Sequence, residues 1–301
     1  MARDHRLSPR GLCLAAAALM LAAGGCRRAV EQVQWPVMGT VAAVKLRGHD
    51  PAQLNAKAAA ARETFAEVER LMNEHDPGSE LSRLARLPES ALVAGDGVTP
   101  RALPCYRAAF ALMHASGGAF NPRWRGADTL DFGAVAKGFA VDQAAENPLF
   151  AKGADCLIDL GGNIKAARGR WKAGVMNPLG PGFAATVELE EGESLATSAT
   201  YYRGRHIYDG RTGQAVSNGV ASVTVFSESA LWADALSTTL FVLGPGEGRA
   251  FLEKARDSLL VKKSIALWIL DDGRIETADA DRRFSLLAPR CRVGDKRGDR
   301  R

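Results

Sequence analysis

Hydrophobic residues recur at helical spacing through the first half of this 301-residue chain and as short strand-length runs through much of the second. That switch limits the fold more than any other feature. Leu54, Ala58, Ala61, Phe65, Val68 and Met72 lie three or four apart, behind an Asp50-Pro51 pair suited to a cap and a first helical position. Thr99-Pro100 introduces a second series, Leu103, Tyr106, Phe110 and Met113, closed by Gly117-Gly118. Strands are expected at 41–46, 156–160, 183–189, 195–200 and 220–226. Hairpins are expected over 164–176, turning at Gly169-Arg170, and over IALWIL-DDG-RIETA, turning at Asp272-Gly273. Two further helices fit 229–244 and 247–256. Without regular β-α-β alternation, the pattern predicts an α+β fold, with mixed or antiparallel sheets flanked by helices in a single compact domain over 35–289.

The ends read differently. Basic residues Arg3, Arg6 and Arg10 precede an apolar run, Leu12 to Ala23, too short to span a bilayer, as in an export signal. Gly24-Gly25-Cys26 then resembles a bacterial lipobox, with Ala23 where leucine is usual. Acylation of Cys26 would tether the domain to a membrane as an exported lipoprotein facing the periplasm. Residues 27–34 read as a polar linker and 290–301 as a basic disordered tail. The net charge of +5 resides in these ends, which argues against a nucleic-acid partner. Cys105, Cys156 and Cys291 form neither a disulfide framework nor a zinc-type spacing.

Five stretches carry possible chemistry. In DFGAVAKGFAVD (131–142), Asp131 stands where a helix would begin and Lys137 near its second turn. Lys137 suits a phosphate or a carboxylate partner, or a solvent-facing position on a capped helix. In ALWADALSTTLF, Asp234 and Thr238 share a helix face among apolar neighbours. A hard cation such as Mg²⁺ would neutralise that carboxylate; a helix back-bond for Thr238, with Asp234 capping a loop or pairing with an arginine, is the ordinary alternative. His206 and Asp209, beside a glycine-rich turn, fit a proton carrier or a structural histidine. SELSRL offers a cap at Ser79, and VMGT (37–40) a bend.

Taken in order, VMGT, SELSRL, GGAFNP, DFGAVAKGFAVD, LIDLGGN, ATSATYYR, HIYDGRTG and ADALSTTLFVLG resemble the ApbE family of FAD:protein FMN transferases, over residues 36 to 245. The resemblance implies FAD as substrate, Mg²⁺ as cofactor, and transfer of FMN to a threonine of an acceptor protein, in several bacteria a membrane redox-complex subunit. It implies FAD contacts at Met38, His75, Ala119, Phe120, Asn121, Asp131 and Lys137. Metal contacts would come from the Ala134 carbonyl, Asp234 and Thr238, with His206 activating the acceptor threonine.

The chain departs from that pattern at four places. Asn121 replaces an acid, and Gly210 replaces a proline, which would loosen its turn. His75 stands where a tyrosine is common, and only RWRGADTL (123–130) bridges to the DFG stretch. A FAD pyrophosphatase and a non-catalytic flavin binder are the competing readings. Asp96-Gly97-Val98-Thr99 partly resembles the sequence that the family modifies, but its threonine reads as a helix cap.

Overall fold

The structure, a computed structural model, describes residues 29–200, 206–259, 261–279 and 282–287. It begins with a hairpin of β1 (Val30–Val37) and β2 (Thr40–Arg47). Met38 and Gly39 form its two-residue turn with φ of 49° and 66°, the left-handed geometry that suits the twist of a tight hairpin. The expected linker at 27–34 therefore runs into a strand from Val30. Pro36 obscures it in sequence, but β1 is an edge strand, where a missing N–H is tolerated.

Helix α1 (Pro51–Met72) starts as read, with Asp50 Oδ1 accepting from Gln53 N at 2.9 Å, and it buries the whole apolar series from Leu54 to Met72. Two short helices follow, α2 (Glu80–Leu84), capped by Ser79 as its sequence offers, and α3 (Glu89–Ala94), which has no sequence signal. Helix α4 (Leu103–Ala115) begins later than expected. Thr99 caps nothing with its side chain, because its N–H and hydroxyl both donate to Glu80, and Pro104 takes the early helical position instead.

Helix α5 (Ala136–Ala145) leads into β3 (Cys156–Leu160) and β4 (Asn163–Arg168). The expected 164–176 hairpin does not form. At Gly169-Arg170 the chain leaves one sheet for another, and β5 (Trp171–Met176) pairs with β6 (Phe183–Leu189). Then come β7 (Ser194–Ala199), β8 (Val220–Ser227) and α6 (Ala230–Ser258), which is broken at Gly244 with φ 67° and ψ 178°. The two helices expected there are thus confirmed. A β9 (Ile265–Leu270)–β10 (Ile275–Ala278) hairpin and a short β11 (Phe284–Leu286) finish the described chain.

Eight strands pair antiparallel in the order β1-β2-β3-β4-β7-β8-β9-β10, and β11-β6-β5 form a second sheet. One core lies between the helices and the large sheet, the other between the two sheets. Strand β9 shows why: Ala266, Trp268 and Leu270 face the helices, while Ile265, Leu267 and Ile269 face the small sheet. A strand covered on both faces reads as an unbroken apolar run, as β9 does, and β3 departs from it only at Asp159. The architecture is α+β in three layers, as expected.

Candidate active site

Helices α5 and α6 pack antiparallel and cap one another. Asp142 on α5 accepts from Ser229 Oγ at 2.7 Å and from the N–H groups of Ala230 and Leu231, both at 3.0 Å, at the start of α6. In return Asp234 Oδ2 on α6 accepts from Gly138 N at 2.9 Å in the first turn of α5. Gly138 makes this approach possible, since a Cβ there would overlap the Ala230 carbonyl and crowd Asp234 Cβ at 2.8 Å.

Lys137 lies in the first turn of α5, not the second, because the helix begins only at Ala136. Its ammonium donates to Gly133 O at 2.7 Å and lies 3.4 Å from Asp234 Oδ2. Asp234 is only 5% exposed. Burial raises its carboxyl above the usual carboxylate range, and Lys137, the Gly138 N–H and the Asn163 amide pull it back. Thr238 Oγ1 is 3.0 Å from Ser198 Oγ, which also meets Ser237 Oγ at 2.7 Å.

These groups open onto a cavity of about 730 Å³. Of the residues expected from the resemblance, Ala119, Phe120, Asn121, Asp131, Ala134, Lys137, His206, Asp234 and Thr238 all line it. Two do not. Met38 sits in the β1–β2 turn with its N–H on Glu69 Oε1 at 3.1 Å, and only its neighbours Val37 and Gly39 reach the cavity. The His75 side chain is 79% exposed beside Glu74, which lines the cavity in its place. Cys26 lies outside the described residues.

Asp131 caps no helix N-terminus. Its Oδ1 closes a local turn on Gly133 N at 2.8 Å, and its Oδ2 accepts from Trp124 Nε1 at 2.8 Å and pairs with Arg125 at 3.2 Å. Arg125 also lies 3.0 Å from Glu74 Oε2, an electrostatic pair rather than an aligned hydrogen bond. Burial and then Asp131 raise the Glu74 carboxyl, with Arg125 opposing.

The short 123–130 segment thus rebuilds a wall. Arg123 anchors it with donations to the carbonyls of Ala85 at 2.5 Å, Leu87 at 2.7 Å and Ala127. Gly210 does not loosen its turn either. Its N–H donates to Ala119 O at 3.0 Å, its carbonyl accepts from Asn121 Nδ2 at 3.2 Å, and an added Cβ would lie 2.5 Å from Gly118 O. The Asn121 and Gly210 departures are therefore two sides of one contact.

A carboxylate, a hydroxyl and a carbonyl are the donor set of a hard cation. Among the described residues no group of three or more His, Cys, Asp and Glu gathers as for a soft or borderline metal. Asn163, 4% exposed on the same wall, leaves its Oδ1 without a partner while its Nδ2 donates to Leu160 O at 3.3 Å. A buried acceptor left unpaired is costly, so this corner of the cavity is suited to a donor or a cation. Sequence reasoning missed Glu74, Trp124, Arg125, Asn163, Ser198 and Tyr208, all of which line the cavity. Asn163, Ser198 and Tyr208 lay in motifs that could have flagged them for this site.

A sequence model of the ApbE family matches residues 38–129 and 123–261. The chain belongs to the ApbE family. Among curated relatives, a Klebsiella pneumoniae (strain 342) FAD:protein FMN transferase is 31% identical over 169 residues, covering 52% of this chain and 53% of that protein. A Treponema pallidum (strain Nichols) FAD:protein FMN transferase is 34% identical over 148 residues, covering 42% and 41%. The chain spans about half or less of the length of these relatives. The Vibrio cholerae flavin transferase ApbE superposes with a TM-score of 0.63 at 22% identity, over 83% of this chain and 97% of that one. The apo form of Pseudomonas stutzeri flavinyl transferase ApbE gives 0.61 at 24%, over 83% and 94%. The ApbE fold is thereby shared.

Proposed function

We propose that this ApbE-family chain is a Mg²⁺-dependent FAD:protein FMN transferase. The observation that carries the reading is the meeting of Asp234 and Lys137, 3.4 Å apart, on one cavity wall with Ala134, Thr238 and His206. Asp234, the Thr238 hydroxyl and the Ala134 carbonyl hold Mg²⁺. When bound, the cation supplies charge neutralisation at the diphosphate oxygens of FAD. Lys137 places a point charge on the same oxygens, and Asp131, Ala119, Phe120 and Asn121 position the dinucleotide. His206 takes the proton of the acceptor threonine hydroxyl. The threonine oxygen bonds to the FMN phosphorus as the bond from that phosphorus to the bridging oxygen breaks, and AMP departs with that oxygen.

The acceptor in this reading is a membrane redox-complex subunit outside the cytoplasm, reached by export and by an acyl anchor on Cys26. The lipobox-like sequence supports this, and loss of fatty-acid labelling in Cys26→Ser tests it. For the reaction, the chain from residue 27 onward is mixed with FAD, Mg²⁺ and an acceptor domain, and a fluorescent band is sought on a denaturing gel. The band should appear, and should vanish with chelator and with Asp234→Asn. AMP and free FMN without a band would make the protein a pyrophosphatase, and FAD retained intact would make it a binder.

A further inference from the structure

The reaction above makes no use of the aromatic corner of the cavity. Trp124, in the short wall segment, and Tyr208, two residues after His206, stack with ring centroids 4.2 Å apart and planes 13° from parallel. Both line the cavity. The indole is fixed on three sides. Its Nε1 donates to Asp131, the Arg125 guanidinium lies 4.8 Å over its ring, and Arg125 is itself held by Glu74 and Asp131. Tyr208 is bound less tightly. Its backbone bridges to Ala215, but the residue is 37% exposed, one of few large hydrophobic residues so exposed among the described residues. A rigid ring backed by a second ring and left open to a cavity presents a flat apolar face, and a planar π-system is what covers such a face best. His75, one of the expected FAD contacts, lies outside the cavity and does not supply that face.

We propose that Trp124 and Tyr208 form the ring-recognition wall of this site. Tyr208 stacks on a planar heteroaromatic ring of the dinucleotide, and Trp124, locked by Asp131 and Arg125, holds Tyr208 in place. This rests on the reading of the cavity as a FAD site. FAD carries two such rings, isoalloxazine and adenine, and the test separates them.

With Mg²⁺ present, FMN binding is followed by quenching of flavin fluorescence, and AMP and FAD binding by calorimetry. Tyr208→Ala should weaken one of FMN and AMP by roughly tenfold, a typical loss for one ring–aromatic stack, and leave the other unchanged. Loss of FMN assigns the isoalloxazine ring, and loss of AMP the adenine. Tyr208→Phe should restore binding, because the ring face and not the hydroxyl makes the contact. Unchanged FMN and AMP affinity in Tyr208→Ala, with FAD still bound, overturns the wall and leaves the transferase reading standing. Equal loss of both without rescue by phenylalanine also overturns it, making the pair a structural strut. If the unaltered protein binds no FAD, the underlying reading falls and this one with it.

Discussion

Lys45 and Asp159 form an ion pair inside the large sheet, 3.3 Å apart with both side chains almost fully covered. Burial raises the Asp159 carboxyl, while Lys45 and the Gly162 N–H lower it again. Asp159 also accepts from Gly162 N at 3.0 Å and so ties the pair to the Gly161-Gly162-Asn163 turn at the cavity wall. Lys45→Met strands a buried carboxylate and should cost about 3–5 kcal/mol in urea unfolding at neutral pH. In that variant the loss should shrink on acidification, because protonated Asp159 no longer needs a cation. A loss independent of pH would show that packing, not charge, holds this position. At the same scale, nine of the residues that the sequence pointed to line the cavity, while Met38 and His75 lie beside it. Short motifs record residue type, but a side chain's direction depends on where the flanking turn ends.

The α5–α6 pair is the element on which the site depends. Its reciprocal caps, Asp142 to Ala230 and Asp234 to Gly138, explain why DFGAVAKGFAVD holds a glycine and, four residues on, a carboxylate. Asp234 is therefore a helix cap paired with a lysine, Lys137, where the sequence allowed for a loop cap or an arginine, and it stays a candidate ligand for the cation. Gly138→Ala should push the helices apart, costing about 1–3 kcal/mol as an overpacked contact and abolishing divalent-cation binding in calorimetry. Retained cation affinity would separate the site from helix spacing. The 206–215 loop offers a second case. Gly210→Pro, which restores the residue expected from the resemblance, removes the N–H that bonds Ala119 O and places ring atoms against Gly118 O and Asn121. It should lower the melting temperature rather than raise it, as differential scanning calorimetry would read.

At the scale of the whole molecule, among the described residues three carboxyls, Glu74, Asp159 and Asp234, are raised above the usual range chiefly by burial. In the unfolded chain they return to ordinary values, so the folded state holds its protons more tightly. Their contribution to stability is complete below the ordinary carboxylate range and is lost as pH rises through the raised values. Asp209 and Asp272, lowered by their arginine neighbours, act in the opposite direction, and the exposed Asp272 is solvent-screened. The urea midpoint of the metal-free protein should therefore fall between mildly acidic and neutral pH. A midpoint that climbs across that interval would show that the depressed surface acids dominate.

The sequence by itself determined the main elements and their order, though not the edge strand β1 or the short α3 and β11. A cap such as Asp50, a tight turn such as Asp271-Asp272-Gly273 and the period of an apolar stripe are each written within a few neighbouring residues. Only the tertiary structure decided that β4 and β5 part into different sheets, since the hairpin signal at Gly169-Arg170 says nothing about which strand lies alongside. It alone placed Trp124 against Tyr208 and turned His75 away from the cavity. Those outcomes depend on packing between segments far apart in the chain, and no local pattern encodes the distance between them.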